Sequence, residues 1–116
     1  MANLNMNGSY ELTEESIDNL VFKKSVGNYA LGQIKDKIFF VEYIGRSDED
    51  LNIRLKSWIG KYKYFKYSYA LSVKEAFEKE CFNFHEFGGI KNLDNAIHPD
   101  RPEGSRWKCP YCENFN

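Results

Sequence analysis

Two strand-like stretches on either side of a short polar turn constrain this chain more than anything else in it. Residues 27–35 (GNYALGQIK) and 38–44 (IFFVEYI), the second dense in β-branched and aromatic side chains, flank the polar turn Lys35-Asp36-Lys37. That pattern predicts an antiparallel hairpin, so everything else must pack against a sheet. With 116 residues the chain builds one domain around one core. Hydrophobic residues at 42% and charged residues at 28% exclude a disordered or fibrous chain. Mean hydropathy is -0.61, and no apolar run nears the ~20 residues that a membrane-spanning helix needs. The opening MANLNMNGSYELTEE has no basic segment leading into an apolar one, which sets the expectation of a cytoplasmic protein without a secretory signal.

The other elements follow from periodicity and punctuation. Residues 1–9 are small and polar and are expected to form a disordered leader. Thr13, with Glu14 and Glu15 behind it, opens a helix that carries Ile17, Leu20 and Val21 and ends near residues 22–24. After Gly45 and the loop SDEDL, the positions Leu51, Leu55, Trp58, Ile59 and Tyr62 share one helical face. A tyrosine-rich strand is predicted over 64–71. Ser72 and Glu75 form a capping box for a last helix that runs to about Phe87 and stops at Gly88-Gly89. The expected architecture is an α/β or α+β sandwich in the order α-β-β-α-β-α, with a small three-stranded antiparallel sheet and an irregular tail. Residues 10–98 would form the domain, and 99–116 a tail packed upon it.

Two features point beyond packing. Val73, Ala76, Phe77, Phe84 and Phe87 make an apolar stripe on the last helix, and Glu80 falls in the middle of it. A buried carboxylate needs a compensating partner, either a basic side chain in a structural salt bridge or a metal cation. Between residues 51 and 74, Arg54, Lys56, Lys61, Lys63, Lys66 and Lys74 occur without an acid, interleaved with Trp58, Tyr62, Tyr64, Phe65, Tyr67 and Tyr69. Basic groups beside stacking rings suit a nucleic-acid backbone, and they equally describe a solvated lysine face over a tyrosine-rich strand. Sixteen basic against seventeen acidic residues argue against indiscriminate coating of nucleic acid.

The chain has three cysteines, and in a reducing compartment a Cys-x-x-Cys pair binds metal or does redox work. Cys109-Pro110-Tyr111-Cys112 is a zinc-knuckle spacing that supplies two ligands. Cys81 and His85 stand at i and i+4 on the last helix and would complete a structural zinc site that clips the tail down, with His98 as the substitute ligand. The alternatives are a redox pair at Cys109 and Cys112 and a Cys81 that packs as a small hydrophobe.

In order along residues 25–98, Gly27-Asn28-Tyr29, Tyr43-Ile44-Gly45, Leu51-x-x-Arg54-Leu55 and Ala76-x-x-x-Glu80 resemble the signatures of the GIY-YIG nuclease superfamily. The resemblance implies a three-stranded sheet flanked by helices and metal-dependent hydrolysis of DNA phosphodiesters. It places Glu80 as the ligand of one Mg²⁺ or Mn²⁺, and Tyr29 and Tyr43 as the tyrosines that orient or deprotonate water. Arg54 would neutralise transition-state charge, and Asn95 or Asn92 would be the family asparagine. Arg46 would contact phosphate, with Lys56, Trp58, Lys61 and Lys63 on the nucleic-acid side, and a targeting protein partner is implied. Two departures stand out: Asn28 replaces an aliphatic residue, and Trp58 stands where many members carry histidine or tyrosine, although an indole cannot accept a proton. The tail N-x-x-H-P…W-x-C-P-x-C is similar to that of a subgroup of small bacterial GIY-YIG-like proteins.

Overall fold

The structure, a computed structural model, describes residues 4–102 and 104–112. The hairpin predicted from sequence consists of β2 (Gly27–Lys35) and β3 (Ile38–Ser47), paired antiparallel with Lys35 opposite Ile38. Asp36 and Lys37 between them have φ of 51° and 65°. Two consecutive left-handed residues give the turn whose twist matches that of its strands. The tyrosine-rich strand β4 (Tyr64–Tyr69) pairs with the other edge of β2.

The sheet does not end there. Asn7–Glu11 form β1, which pairs antiparallel with β4 through a bulge between Gly8 and Tyr10, so the order is β1-β4-β2-β3. This corrects two expectations: the sheet has four strands rather than three, and residues 4–9 are not a disordered leader. Residues 1–3 lie outside the described residues. Asn-Gly-Ser lacks strand propensity, but the open edge of β4 presents unpaired backbone groups that any extended segment can satisfy. Leu4, at 5% exposure, anchors the segment in the core.

Helix α1 (Glu14–Leu20) begins where Thr13 accepts a hydrogen bond from Ser16 N, and Tyr67 Oη donates to the Leu20 carbonyl at its end. Helix α2 (Leu51–Lys56) is capped by Asp50, which accepts from the amides of Asn52 and Ile53. It stops six residues short of Tyr62. Ser57 Oγ donates to the Arg54 carbonyl at 2.6 Å, and Gly60 sits at φ 91°, so Trp58 lies in a turn and Ile59 and Tyr62 pair in an isolated bridge rather than on a helix. Helix α3 (Val73–Glu86) is capped by Ser72 on Glu75 N at 3.1 Å, and a short 3₁₀ turn, Gly89–Lys91, follows it.

The molecule is therefore a small α+β protein with three helices and an antiparallel sheet among the described residues. Alternation along the strands builds two cores. Tyr29, Leu31, Phe65 and Tyr67 pack with Leu12, Ile17, Val21, Leu51 and Leu55 on the α1–α2 face. Ala30 and Ile44 pack with Phe84 and Leu93 on the α3 face. Asn28, fully buried, donates from Nδ2 to the Ala76 carbonyl at 2.9 Å, and so ties α3 to β2 one turn before Glu80. Among the described residues, no helix is long and apolar enough to cross a membrane.

Candidate active cleft and candidate metal centre

A cleft of about 570 Å³ opens where the end of β3, the start of α2, the middle of α3 and the segment 95–100 meet. It brings Tyr43, Arg46, Arg54, Glu80 and Asn95 together from four separate parts of the sequence. Glu80 is 7% exposed, and its partner is Arg46, whose Nη1 donates to Oε1 at 2.5 Å. Of the two partners the sequence allows for this carboxylate, the fold supplies the basic side chain. The other oxygen, Oε2, has no hydrogen-bond partner among the described residues. Burial pushes the Glu80 carboxyl up to about 7, against the opposing pull of Arg46.

Arg46 is shared. Its Nε and Nη2 donate to the two oxygens of Asp48 at 2.7 and 3.2 Å, its Nη1 also donates to the Asp100 carbonyl, and its guanidinium lies over the Phe77 ring. The Arg46-x-Asp48 spacing is the sequence signal of this fork, and Asp48 and Asp100 are site residues that sequence reasoning missed.

Tyr29 does not line the cleft but lies behind it, against Arg54 and Tyr43. It is fully buried, and its hydroxyl accepts from Trp58 Nε1 at 2.9 Å and from Arg54 Nε at 3.4 Å. Trp58 is therefore a donor that fixes Tyr29, with its ring 4.5 Å from that of Tyr43. Burial pushes the Tyr29 hydroxyl up to about 12, and burial together with the nearby Glu80 charge pushes Tyr43 up, against the pull of Arg54. Both phenols therefore stay protonated at neutral pH, which suits orienting a water rather than deprotonating it. Gly45 lies opposite Tyr29 in the strand register, and a Cβ there would be 2.3 Å from the Tyr29 ring, which explains the glycine.

Asn95 reaches the cleft, whereas Asn92 is exposed. Asn95 Oδ1 accepts from Ile44 N at 3.0 Å and Nδ2 donates to Ile44 O at 2.8 Å, so a side chain completes the edge of β3 as a neighbouring strand would. These two bonds hold Ile44 and the end of β3 in place. Asn95→Ala is expected to lower the unfolding free energy by about 2–3 kcal/mol because it orphans two buried backbone groups. Chemical denaturation checks this, with Asn95→Asp, which keeps the acceptor and loses the donor, falling between.

The lysines do not gather at the cleft. Lys56 pairs with Asp18 on α1 at 2.6 Å, Lys61 lies over the Trp58 ring, and Lys63 borders a separate depression beside Glu11 and Thr13. Of the five residues expected to face nucleic acid, only Arg46 lines the cleft, because the early end of α2 breaks the predicted face. Asp48, Glu49, Asp50 and Asp100 line it as well, with Asp48 engaged by Arg46 and Asp50 by the α2 cap.

Beside the cleft, toward the end of α3, His85, His98, Cys109 and Cys112 bring four ligand atoms within 4.8 Å of one another, a group that could hold a metal such as zinc. His85 Nε2 lies 3.2 Å from His98 Nε2 and 3.5 Å from Cys109 Sγ, and Cys112 Sγ lies 3.4 Å from His98 Nε2. Tetrahedral zinc with ordinary bond lengths separates two nitrogens by about 3.3 Å and a nitrogen from a sulfur by about 3.5 Å. His98 Nδ1 sits 2.8 Å from the Pro99 carbonyl, which orients the ring and leaves Nε2 for the metal.

One expected ligand is corrected. Cys81 stays outside this group, and both histidines enter it. Cys81 is fully buried against Phe77 and Cys109, and burial pushes its thiol well above the ordinary range. Spacing at i and i+4 puts Cys81 and His85 on one side of the helix, but a turn apart only His85 meets the returning His98. Comparison with protein-family models, curated proteins and solved structures finds no match for this chain.

Proposed function

We propose that the cleft hydrolyses phosphodiester bonds in DNA with one Mg²⁺ or Mn²⁺ held at Glu80, and that the two-histidine, two-cysteine group is a structural zinc site. The observation that carries this reading is a buried carboxylate with an uncommitted oxygen, in the same cleft as a tyrosine hydroxyl and two arginines. The donor set suits a hard cation, since Mg²⁺ is held by one or two carboxylates with water and substrate phosphate completing its shell. Such an ion would polarise the phosphate and stabilise the leaving oxygen. Arg54, exposed and steadied through Nε by Tyr29, meets the charge that develops on the phosphate, and Tyr43 donates a hydrogen bond to the attacking water. The signature residues shared with the GIY-YIG superfamily support the choice of a phosphodiester substrate. The zinc site offers four protein ligands and no open position, which makes it structural.

A second reading is favoured by the Arg46 guanidinium, which already neutralises Glu80, and by the acids along the cleft. It is a non-catalytic module that binds nucleic acid or a protein partner. A plasmid-nicking assay with Mn²⁺ decides between the two. Cleavage by the native chain, reduced at least ~100-fold in Glu80→Gln, is the expected result. Salt-sensitive DNA binding by both proteins with no cleavage by either overturns the nuclease reading in favour of the module.

A further inference from the structure

The metal centre and the cleft share a wall. His98 belongs to the four-ligand group, and His98, Pro99 and Asp100 also line the cleft. Upstream, this segment is fastened by the two hydrogen bonds of Asn95 to Ile44 and by Asp94 N on the Glu42 carbonyl at 2.6 Å. Downstream, the tail touches α3 through Trp107 and Cys109 beside Phe77 and Cys81, and through the ring of Tyr111 against Phe82. The backbone bond from Ser105 N to the Pro102 carbonyl is local and ties the tail to nothing else. Between these anchors, the Asp100 carbonyl accepts from the same Arg46 nitrogen that donates to Glu80.

We propose that metal at His85, His98, Cys109 and Cys112 regulates the cleft by holding its wall. A bound ion fixes His98 to α3, His98 carries Pro99 and Asp100 with it, and the Asp100 carbonyl keeps the Arg46 guanidinium against Glu80. Glu80 and His85 stand on the same helix, so the ion joins the helix that bears the carboxylate to the strap that steadies its partner. Loss of the ion leaves Asn95 in place and lets the chain beyond it move, so Arg46 keeps its fork on Asp48 and loses its third acceptor. The zinc state thus decides whether Glu80 is clamped, which adds regulation to the site proposed above and rests on the metal assignment.

The test uses the full ¹⁵N-labelled chain, loaded with Zn²⁺ and then stripped with a chelator, with the zinc-to-protein ratio measured on each sample. The readout is the Arg46 Nη resonances, assigned by their disappearance in Arg46→Lys. Loaded protein should show separate Nη1 and Nη2 signals, because a clamped guanidinium rotates slowly. Stripping should shift and broaden the Nη1 signal, which loses the Asp100 carbonyl, while Nη2 on Asp48 and the amides of Tyr29 and Ile44 stay in place. Cys112→Ser, twelve positions past Asp100 and outside the cleft, should reproduce the shifted Nη1 signal in the presence of zinc. Zinc at about one per chain with Nη signals indifferent to its removal overturns the coupling and leaves the metal assignment standing. Failure to bind zinc overturns both. Collapse of the Tyr29 and Ile44 amides together with the Nη signals also overturns the coupling, since global unfolding needs no shared wall.

Discussion

One equivalent of Zn²⁺ is expected to raise the melting temperature by roughly 10–20 °C, and a chelator is expected to reverse the gain. The sheet and helices fold around their own cores, α3 carries His85, and the segment packed against it carries His98, Cys109 and Cys112, so binding to the folded chain adds stability by mass action. Saturation at about a thousand times the dissociation constant contributes about 4 kcal/mol. In a domain of this size each kcal/mol moves the midpoint by about 4 °C. The ligand identities make the sharper test. His98→Ala and Cys109→Ser should lose the metal and the thermal gain together, whereas Cys81→Ser should keep both. Co²⁺ in place of zinc should give the absorption bands of a tetrahedral site with two thiolates in the native chain and in Cys81→Ser. Metal retained by His98→Ala and lost by Cys81→Ser would reverse the assignment. Titration calorimetry and thermal denaturation on the four proteins measure these outcomes.

The parts of this molecule that are legible in its sequence are those set by local chemistry. The β2–β3 hairpin reads from two apolar runs around Asp36-Lys37, and α3 from Ser72, Glu75 and a stripe of phenylalanines. Glu80 stands out because a carboxylate interrupts that stripe, and the fold buries it as helical geometry requires. What escapes the sequence depends on distant partners. β1 exists because β4 has an open edge, a condition that no residue of Asn7–Glu11 encodes. The early end of α2 comes from a side-chain bond of Ser57 to its own helix and from the backbone at Gly60, although Trp58, Ile59 and Tyr62 keep helical spacing. The metal group contains two knuckle cysteines and one helical histidine that spacing identifies, but the fourth ligand is chosen by where the tail returns. His98 arrives there because Asn95 pins the chain to Ile44 three residues earlier. Arg46 and Glu80 are 34 residues apart, and only the packing of α3 on β3 makes them a pair.

That pair gives the second large effect, a pH dependence of stability opposite in sign to that of an ordinary paired carboxylate. Burial holds the folded-state carboxyl of Glu80 at about 7, above its usual 4.5. Below the lower value both states are protonated and Glu80 adds no slope. Between the two, the folded protein retains a proton that the unfolded chain has released, so stability falls as pH rises. Above about 7 both states are ionised and the loss is complete. A shift of this size corresponds to about 3 kcal/mol. Glu80→Gln has no such proton and nearly the same volume. The stability of the native chain relative to Glu80→Gln should therefore decline by about 2 kcal/mol, most of that amount, between pH 5 and 7.5, with zinc saturating in both proteins. Urea denaturation at half-unit pH steps measures the difference, and other titrating groups cancel in it. Parallel curves would show that Arg46 offsets the burial completely. A native chain that gains on the variant as pH rises would show that the ion pair outweighs burial, and that any cation entering the cleft meets a carboxylate already ionised and firmly held. The predicted decline has a consequence for the proposed site. With its carboxyl at about 7, Glu80 would release its proton to water at little cost near neutral pH, and a divalent ion competing for the carboxylate would meet only that small penalty.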